Sequence, residues 1–536
     1  MRFIGLLILA LPLLAQRANV AVLATTDMHG NLYPLDYYTN RPARRGLAKL
    51  ATLIGAARAQ NPGALLVDCG DTIQGSPVES VYQGIVSTGK APLGIPFDSA
   101  LIPGDPMMRA MNALRYDAMT VGNHEFNFGL KSLERARADA RFPWISANIE
   151  GGARPFPSYI VRTAGPVKVA IIGVTTPAVP TWEKPEHLGG YRFTPARPAV
   201  ERALARLRSA EKPDLVIAAV HAGLESGPSA ENIAREVAEA PGIDALVFGH
   251  THREVAGMRV GDVLAVQPRN FAGSLARLDF ALENRAGRWT VVEKTSRLIP
   301  VEDATPASPE ILAIGKPYHE LAQRWLETPV AQLPRELEAS NCRVRDCALL
   351  DAIHAVQLHY AQADVSFSSI FNPNLRVPGG PITVRQIAAL YIYDNELYCI
   401  EGTGAMVKQA LENSARYFLS CQGEACAGPP AVNPKVMGFN YDTAEGVSYE
   451  IDLRRPEGDR IVNLAFRGQP LAPDRKLRIA VNNYRAAGSA GYGMFRGAKI
   501  LWQSPEGIRE LMVRYYTERG RLLEQPDGNW RLAGRP

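Results

Sequence analysis

Five short polar clusters, each placed directly after an apolar run, constrain the fold of this chain most strongly. The clusters are Asp27-Met-His29, Gly70-Asp71, Gly122-Asn123-His124-Glu125, His221 and Gly249-His250-Thr251-His252. The runs before them are typical of buried β-strands, and they are Val20–Ala24, Ala64–Val67, Ala118–Val121, Leu215–Val220 and Ala245–Phe248. Loops that meet at one sheet edge would collect carboxylate, amide and imidazole groups, which is the composition of a site for two divalent metals.

Length and charge limit the class of protein. With 536 residues the chain is too long for one hydrophobic core, so two or more domains are expected. A hydrophobic content of 46% and a charged content of 21% are ordinary for a soluble globular protein. The net charge of +5 is small and no Lys/Arg-rich run is present, so polymeric nucleic acid is not an expected partner. A small anionic substrate is compatible with this charge.

Residues 1–18 are predicted to be a secretory signal peptide. Arg2 supplies one positive charge, and the stretch Phe3–Ala15 is nearly all apolar. Such a run is short for a bilayer span, although a membrane anchor or a buried first strand are alternatives. We expect cleavage near Ala15 or Ala18, no transmembrane segment later in the chain, and therefore a periplasmic or secreted protein.

The cysteine spacing fits an exported protein. Four of the six cysteines form two pairs five residues apart, Cys342 with Cys347 and Cys421 with Cys426. Each pair is able to close a small local disulfide in an oxidising compartment. Cys69 and Cys399 lie in apolar strand-like runs, which predicts buried free thiols. No CxxC pair is present, so cysteine is not an expected metal ligand.

The pattern of helices and strands divides the chain. Residues 19–305 alternate strand-like and helix-like segments, which predicts a layered α/β domain, with the Gly- and Pro-rich stretch Ser76–Asp105 as a long loop over the site. Residues 306–334 are predicted to be a linker with one long helix. A second domain that mixes helix and strand is expected over 335–526, followed by a loose tail over 527–536.

The polar clusters supply seven candidate metal ligands. These are Asp27, His29, Asp71, Asn123, His221, His250 and His252. On an extended segment the members of each i, i+2 pair point the same way, and the Asp71 carboxylate is able to bridge two cations. Mixed oxygen and nitrogen ligands suit Zn, Mn, Fe or Co better than Ca or Mg. A lone strand-end Asp or His is more often structural, so the hypothesis depends on their joint occurrence.

These motifs together resemble the signature of calcineurin-like metallophosphoesterases. The subtype is similar to the exported 5′-nucleotidase and 2′,3′-cyclic-nucleotide 2′-phosphodiesterase/3′-nucleotidase family. The resemblance implies an N-terminal α/β/β/α domain and a C-terminal α/β (α+β) nucleotide-binding domain. It also implies that Asp27, His29, Asp71 and His252 hold one metal, and that Asp71, Asn123, His221 and His250 hold the other. An activated water would then attack phosphorus.

The resemblance also gives His124 a role. In the family this histidine contacts the phosphate or protonates the leaving oxygen, whereas the alternative is a structural loop histidine. The 5′-nucleotidase branch has an Asp three residues later, and this chain has Asn127. An amide orients an imidazole but does not stabilise imidazolium as a carboxylate does. Asn127 therefore resembles the cyclic-phosphodiesterase branch.

Two tyrosines of the second domain are candidates for nucleobase binding. Tyr393 and Tyr484 match the aromatic pair that sandwiches the nucleoside in the family, and Asn395 matches a polar substrate-binding position. Stacking on such rings contributes ~1–3 kcal/mol per base. Without the resemblance, each ring would more often be an ordinary core or surface aromatic.

The sequence predicts an exported two-metal phosphoesterase that acts on nucleotides. The most specific hypothesis is hydrolysis of 2′,3′-cyclic nucleotides to 3′-nucleotides and of these to nucleoside and phosphate. The first alternative is a 5′-nucleotidase or UDP-sugar hydrolase. The second is a non-catalytic nucleotide-binding protein of the cell surface.

Overall fold

The computed structural model describes residues 16–224, 231–393, 395–426 and 428–533. Most of the predicted signal peptide, residues 1–15, lies outside this part of the chain. Two compact units are present: the first runs to Leu35 and continues over Pro42–Leu321, and the second contains Asp36–Arg41 and everything from Ala322 onward. The division falls inside the helix Pro309–Leu326, within the expected linker.

Two six-stranded sheets form the centre of the first unit. Sheet 1 contains, in spatial order, Arg288–Pro300, Ser274–Arg285, Arg17–Thr25, Leu65–Asp68, Ala118–Thr120 and Trp144–Ile145. Sheet 2 contains Val255–Val260, Val263–Gln267, Ala245–Phe248, Leu215–His221, Val167–Thr175 and Tyr159–Ala164. The strands that carry the polar clusters are parallel within each sheet, so their carboxyl ends share one side.

The two sheets pack on each other and carry helices on their outer faces. One core cluster contains apolar side chains of both sheets, such as Val22 and Leu65 of sheet 1 and Ile171 and Ile217 of sheet 2. Separate clusters pack helices against the outer face of each sheet. The predicted α/β/β/α layering is confirmed, and the buried strands are near-continuously apolar because both of their faces are covered.

Helices are distributed over both units. Those of the first unit are Leu47–Gln60, Pro77–Thr88, Pro106–Ala113, Gly129–Asp139, Val179–Trp182, Pro185–Leu188, Ala196–Arg206, Ala234–Ala238 and most of Pro309–Leu326. Those of the second are Ala348–Ala361, Val384–Ala388, Gly404–Ala415, Asn483–Ala486 and Ile508–Arg519. No helix within the described part of the chain has the length and apolar character that a membrane crossing requires.

The expectation of a long loop over Ser76–Asp105 is wrong for its first half. Residues Pro77–Thr88 form a helix whose buried face includes Val81. Ser76 caps the start by accepting from the Glu79 N–H, Pro occupies the first turn, and Gly89 ends the helix in a left-handed conformation. The Pro and Gly residues that indicated a loop therefore mark the two helix ends, where both are favoured.

A mixed five-stranded sheet organises the second unit. Its strands, in spatial order, are Thr443–Glu445, Val365–Ser368, Lys476–Asn482, Glu396–Thr403 and Ile500–Gly507. A second sheet contains Gln469–Pro470, Ile461–Phe466, Ser448–Ile451 and Trp530–Leu532. Two-stranded ribbons of this unit pair Pro329–Leu333 with Gly380–Thr383 and Leu337–Glu338 with Arg376–Val377. Two further ribbons pair Ile149–Gly151 with Tyr191–Phe193 in the first unit, and Leu35–Asp36 with Arg41–Pro42 where the chain passes from one unit to the other. The mixed helix and strand content agrees with the predicted α/β (α+β) domain.

The chain end is another correction. Trp530–Leu532 pairs in parallel with Ser448–Ile451, and the Trp530 ring is buried in the core of this unit. The expectation of a loose tail over 527–536 therefore fails for this segment, because the aromatic and aliphatic side chains of Trp530 and Leu532 bury apolar surface.

The cysteines behave as their spacing predicted. Both five-residue pairs form disulfides, Cys342–Cys347 and Cys421–Cys426. Cys69 and Cys399 are buried free thiols.

Candidate metal centre and nucleobase-binding residues

The candidate ligands lie at the carboxyl ends of strands from both sheets. Sheet 1 supplies Asp27, Asp71 and Asn123 from the loops after its three central strands, and sheet 2 supplies the histidines after Leu215–Val220 and Ala245–Phe248. The expectation of a single sheet edge is therefore corrected, since the site is shared by two sheets that pack face to face. Parallel strands in both sheets bring the loops to the same side.

Seven candidate side chains converge in two adjoining groups. One group contains Asp27, His29 and His252, and the other contains Asp71, His221 and His250; within each group the potential ligand atoms all lie within 4.8 Å of one another. Asn123 joins the second group, because its Oδ1 lies 3.0 Å from His221 Nε2. The His29 N–H donates to the Asp71 carbonyl over 2.8 Å, which connects the loops of the two groups.

The donor atoms fit divalent cations. The Nε2 atoms of His29 and His252 approach to 3.0 Å, so two imidazole nitrogens are directed at one point. The Nδ1 atoms of His29 and His221 lie 3.1 and 2.6 Å from the carbonyls of Gln74 and Cys69. Such carbonyl partners fix the proton on Nδ1 and leave Nε2 as the electron-pair donor that a metal needs.

The charge states of these groups fit cation binding as well. Burial tends to raise the pKa of Asp71, but the neighbouring His221 and His124 hold that pKa well below its usual range. Burial and then the charge of His252 lower the pKa of His29 to about 4, so its ring is neutral near pH 7. Burial opposes protonation of His221, yet Asp71 raises the pKa of His221 to about 10. A cation bound beside Asp71 would take the place of this proton, because a metal ligand must be deprotonated.

Five of the candidate ligands have left-handed backbone conformations. Their φ angles are 49° at Asp27, 48° at His29, 57° at Asp71, 76° at His250 and 53° at His252. Such conformations cost ~1–3 kcal/mol each and persist where surrounding structure imposes them, commonly at functional sites. They also correct the expectation of extended i, i+2 pairs: the side chains converge because the loops turn sharply.

Glu125 is a site residue to which sequence reasoning assigned no role. Its buried carboxylate accepts the N–H groups of Gly122, Asp71 and Thr72 over 2.7, 2.9 and 2.6 Å. Gly122 leaves room for this arrangement, since a Cβ there would overlap Asp71 Oδ1. Glu125 therefore fixes the two loops that present Asp71 and Asn123. Its position inside a motif rich in candidate ligands was the available signal.

His124 and Asn127 lie together beside the second group. His124 Nδ1 is 2.5 Å from Asn127 Oδ1, and His124 Nε2 is 3.9 Å from Asp71 Oδ2. The ring centroids of His124 and His29 are 5.3 Å apart. One edge of the His124 ring is thus held by Asn127, and the other faces the candidate metal ligands.

The predicted nucleobase-binding tyrosines are exposed, whereas Asn395 is not. Tyr393 is 40% exposed and Tyr484 is 54% exposed. The Tyr393 ring packs edge to face against Phe371 at 4.9 Å and approaches Phe439 at 6.4 Å. Asn395 is 6% exposed and donates from Nδ2 to the Tyr391 hydroxyl over 3.0 Å. Asn395 therefore provides a hydrogen-bond partner for the buried hydroxyl of Tyr391, as buried polar groups require.

An ion pair that the sequence did not indicate supports Tyr484. Arg485 is buried and its Nε lies 2.6 Å from Asp442 Oδ2. Its Nη2 also donates to the Phe439 carbonyl over 2.9 Å. Arg485 thus links the short helix Asn483–Ala486 to the loop that carries Phe439.

Sequence and structure comparisons agree with this architecture. Residues 20–254 match the calcineurin-like phosphoesterase domain, and residues 326–497 match the 5′-nucleotidase C-terminal domain. A 2′,3′-cyclic-nucleotide 2′-phosphodiesterase/3′-nucleotidase of Yersinia enterocolitica is 30% identical, with 97% of this chain and 89% of that protein covered. The trifunctional nucleotide phosphoesterase YfkN of Bacillus subtilis is 28% identical over 97% of this chain, which spans 39% of that longer protein.

A solved structure shows the same fold. A Staphylococcus aureus protein of the 5′-nucleotidase type is 26% identical and superposes with a TM-score of 0.65, with 97% of this chain and 100% of that chain covered. The calcineurin-like phosphoesterase fold implies divalent metal ions, which the two ligand groups fit. The chain therefore belongs to the family of metal-dependent phosphoester hydrolases that join a calcineurin-like phosphoesterase domain to a 5′-nucleotidase C-terminal domain.

Proposed function

We propose that the protein hydrolyses 2′,3′-cyclic nucleotides to 3′-nucleotides, and these to nucleoside and phosphate. The observation that carries this proposal is the convergence of seven ligand side chains in two adjoining groups beside His124. A non-catalytic binding protein has no need for such a site, since burying charged and polar groups together costs free energy.

The two ligand groups would hold one cation each. Asp27, His29 and His252 would hold the first, Asn123, His221 and His250 would hold the second, and Asp71 would serve both. When bound, the cations supply positive charge to the phosphate and activate water as a nucleophile. His124, whose Nε2 faces these ligands, donates a proton to the leaving oxygen. Zn, Mn, Co and Fe all suit this donor set.

Asn127 favours the cyclic-nucleotide substrate over the 5′-nucleotide. The relative from Yersinia enterocolitica with 30% identity carries the name of the cyclic-phosphodiesterase branch, and a Vibrio vulnificus 5′-nucleotidase is 25% identical. The identity difference is small, but it agrees with the amide at position 127.

Tyr393 and Tyr484 are the proposed nucleobase contacts. Both rings are exposed on a unit whose relatives act on nucleotides, and both belong to segments anchored by buried neighbours. Base stacking on such rings tolerates every base. Asn395 remains a proposed substrate-binding residue, and its Nδ2 also donates to the Tyr391 hydroxyl, which holds the side chain beside Tyr393.

We also propose that the protein is exported. The apolar N-terminal stretch and the two local disulfides support this location, because disulfides persist in oxidising compartments. Mass spectrometry of the mature N-terminus from a periplasmic extract tests it, with cleavage near Ala15 or Ala18 as the expected result.

A substrate panel tests the activity. Metal-depleted protein is re-supplied with Mn, Co or Zn, and kcat/KM is measured for 2′,3′-cAMP, 3′-AMP and 5′-AMP. We expect activity only after metal addition, with 2′,3′-cAMP and 3′-AMP preferred. The highest kcat/KM for 5′-AMP would assign the protein to the 5′-nucleotidases. An absence of hydrolysis with every metal would support the nucleotide-binding protein.

A further inference from the structure

A buried carboxylate lies one side chain away from His124. Glu183 follows the short helix Val179–Trp182 and is 7% exposed. Its Oε2 accepts from Asn127 Nδ2 over 2.7 Å, and its Oε1 accepts from the Lys184 N–H and from His187 Nδ1, each over 2.8 Å. Burial of a carboxylate is costly unless donors surround it, and these three donors meet that need.

Glu183 determines which way the Asn127 amide points. An ionised carboxylate only accepts hydrogen bonds, so the NH₂ group of Asn127 has to face Glu183. The Asn127 carbonyl oxygen then faces His124 Nδ1, in agreement with the 2.5 Å separation of these two atoms. His124 Nδ1 must therefore carry a hydrogen and donate it, which leaves Nε2 directed toward Asp71.

We propose that Glu183 is a positioning residue for the acid His124, acting through Asn127. This inference rests on the proposed phosphoesterase function. In the reaction, the water oxygen bonds to phosphorus and the water loses one proton to solvent, while the ribose P–O bond breaks. The leaving oxygen takes a proton from His124 Nε2, which solvent then replaces. Glu183 supplies the carboxylate that Asn127 lacks, one hydrogen bond farther from the ring.

The two carboxylate oxygens of Glu183 have different partners, which distinguishes its contact with Asn127 from its contacts within the local turn. Oε1 is engaged by the following turn, Lys184 to His187, whereas Oε2 accepts from Asn127. This turn packs closely against the segment that follows Asn127: a Cβ added at Gly129 would lie 3.2 Å from His187 Cδ2. Gly129 has a φ of 77°, which also favours glycine at this contact.

An exchange of the two side chains tests the proposal. In E183Q, the Gln carbonyl is held by Lys184 and His187, so its NH₂ faces Asn127 and reverses the amide. In N127D, two carboxylates oppose each other. In the double variant N127D/E183Q, the Gln NH₂ donates to the carboxylate introduced at position 127, so the hydrogen bond between the two side chains is reversed. The other oxygen of that carboxylate accepts from His124, which restores the hydrogen-bond direction at the His124 ring. Glu186→Gln, an exposed change in the same turn, is the matched control.

Two substrates separate proton donation from general damage. The ribose oxygen of 3′-AMP needs a proton to leave, whereas p-nitrophenolate leaves without one. We expect E183Q and N127D each to lower kcat on 3′-AMP by about 10-fold or more, with KM and p-nitrophenyl phosphate turnover within about 3-fold of wild type. The double variant should recover to within about 3-fold of wild type on 3′-AMP. E186Q should match wild type, and metal content should be equal in all variants.

The role of Glu183 would be overturned if E183Q lost equal activity on both substrates. It would also be overturned if the kcat of the double variant on 3′-AMP did not exceed that of the less active single variant. If E183Q does not fold, Asn127→Ala is the second variant to measure. We expect it to show the same selective loss on 3′-AMP. An equal loss on both substrates would contradict the proposal. A wild-type protein that hydrolyses neither substrate would instead overturn the proposed function itself, so the two failures are distinguishable.

Discussion

The candidate sites of the two units are built in opposite ways. In the first unit, Asp27 and Asp71 are fully buried and lie on strained, left-handed backbone tied down by other loops. In the second, Tyr393 and Tyr484 project from short segments and are 40% and 54% exposed. One site is preorganised by its surroundings, whereas the other offers accessible apolar rings.

This difference agrees with two separate tasks. Phosphoester hydrolysis requires charges placed to within fractions of an ångström, because electrostatic stabilisation depends on fixed geometry. Nucleobase binding by stacking requires only a π-face and tolerates variation. We therefore expect substitutions in the first unit to affect turnover, and substitutions of the exposed tyrosines to affect substrate affinity.

The largest expected effect is that of Asp71→Asn. This change removes the carboxylate that adjoins His221 and His124, and we expect kcat/KM on every phosphoester to fall by about 10³-fold or more. Circular dichroism should show an intact fold. Asp262→Asn, at an exposed turn of the same unit, is the control with unchanged activity. Retention of more than a tenth of wild-type activity in Asp71→Asn would contradict the assignment.

An intermediate effect is expected for Tyr484→Ala. Loss of the ring should raise KM for 3′-AMP by about 10-fold and leave kcat within about 2-fold, because stacking contributes ~1–3 kcal/mol. Hydrolysis of p-nitrophenyl phosphate, which lacks a base, should change little. Tyr484→Phe keeps the ring and should behave as wild type. A KM for 3′-AMP that is the same in Tyr484→Ala and wild type would remove this residue from the binding site.

The smallest expected effect is a change in stability with pH caused by His354, a buried histidine of the second unit that is not a candidate metal ligand. Burial lowers the pKa of His354 to about 3, and its ring bonds the Ser366 and Thr443 hydroxyls. The unfolded chain, with a histidine pKa near 6.5, binds the proton more readily, so stability falls as pH decreases below about 6.5. Between pH 7 and 6 the loss is about 0.7 kcal/mol.

Hydrogen exchange of the Ala348–Ala361 amides measures this local stability. Wild type should lose protection between pH 7 and 6, after correction for intrinsic exchange. His354→Gln should show a shallower pH dependence than wild type, whereas His359→Gln, an exposed change on the same helix, should not. Identical slopes for wild type and His354→Gln would show that His354 does not set the pH dependence.

The sequence allowed the grouping of the candidate metal ligands to be predicted because its signals are local. Each ligand follows a buried strand directly, and parallel strands of one domain present their carboxyl ends together. The same reasoning missed the helix Pro77–Thr88, where Pro and Gly act as end signals and not as loop signals. It also missed the left-handed φ angles of Asp27 and His29, since non-glycine residues adopt them only under tertiary constraint.

Contacts distant in sequence were not predictable from one chain. Glu183 is 56 positions from Asn127, and no local pattern relates the two. The sequence also did not indicate that Asn395 is buried and donates to the Tyr391 hydroxyl, because the packing around position 391 decides that burial. The segment Asp36–Arg41 belongs to the second unit although it lies far from it in sequence.

The count of bound metal tests the central assignment most directly. Metal-depleted protein is titrated with Mn or Zn, and bound metal per chain is measured by elemental analysis alongside 2′,3′-cAMP hydrolysis. We predict that activity saturates at two equivalents and that Asp71→Asn neither reaches two equivalents nor regains activity. Full activity at zero or one equivalent, or two tightly bound metals in Asp71→Asn, would contradict the two-metal site at the strand ends.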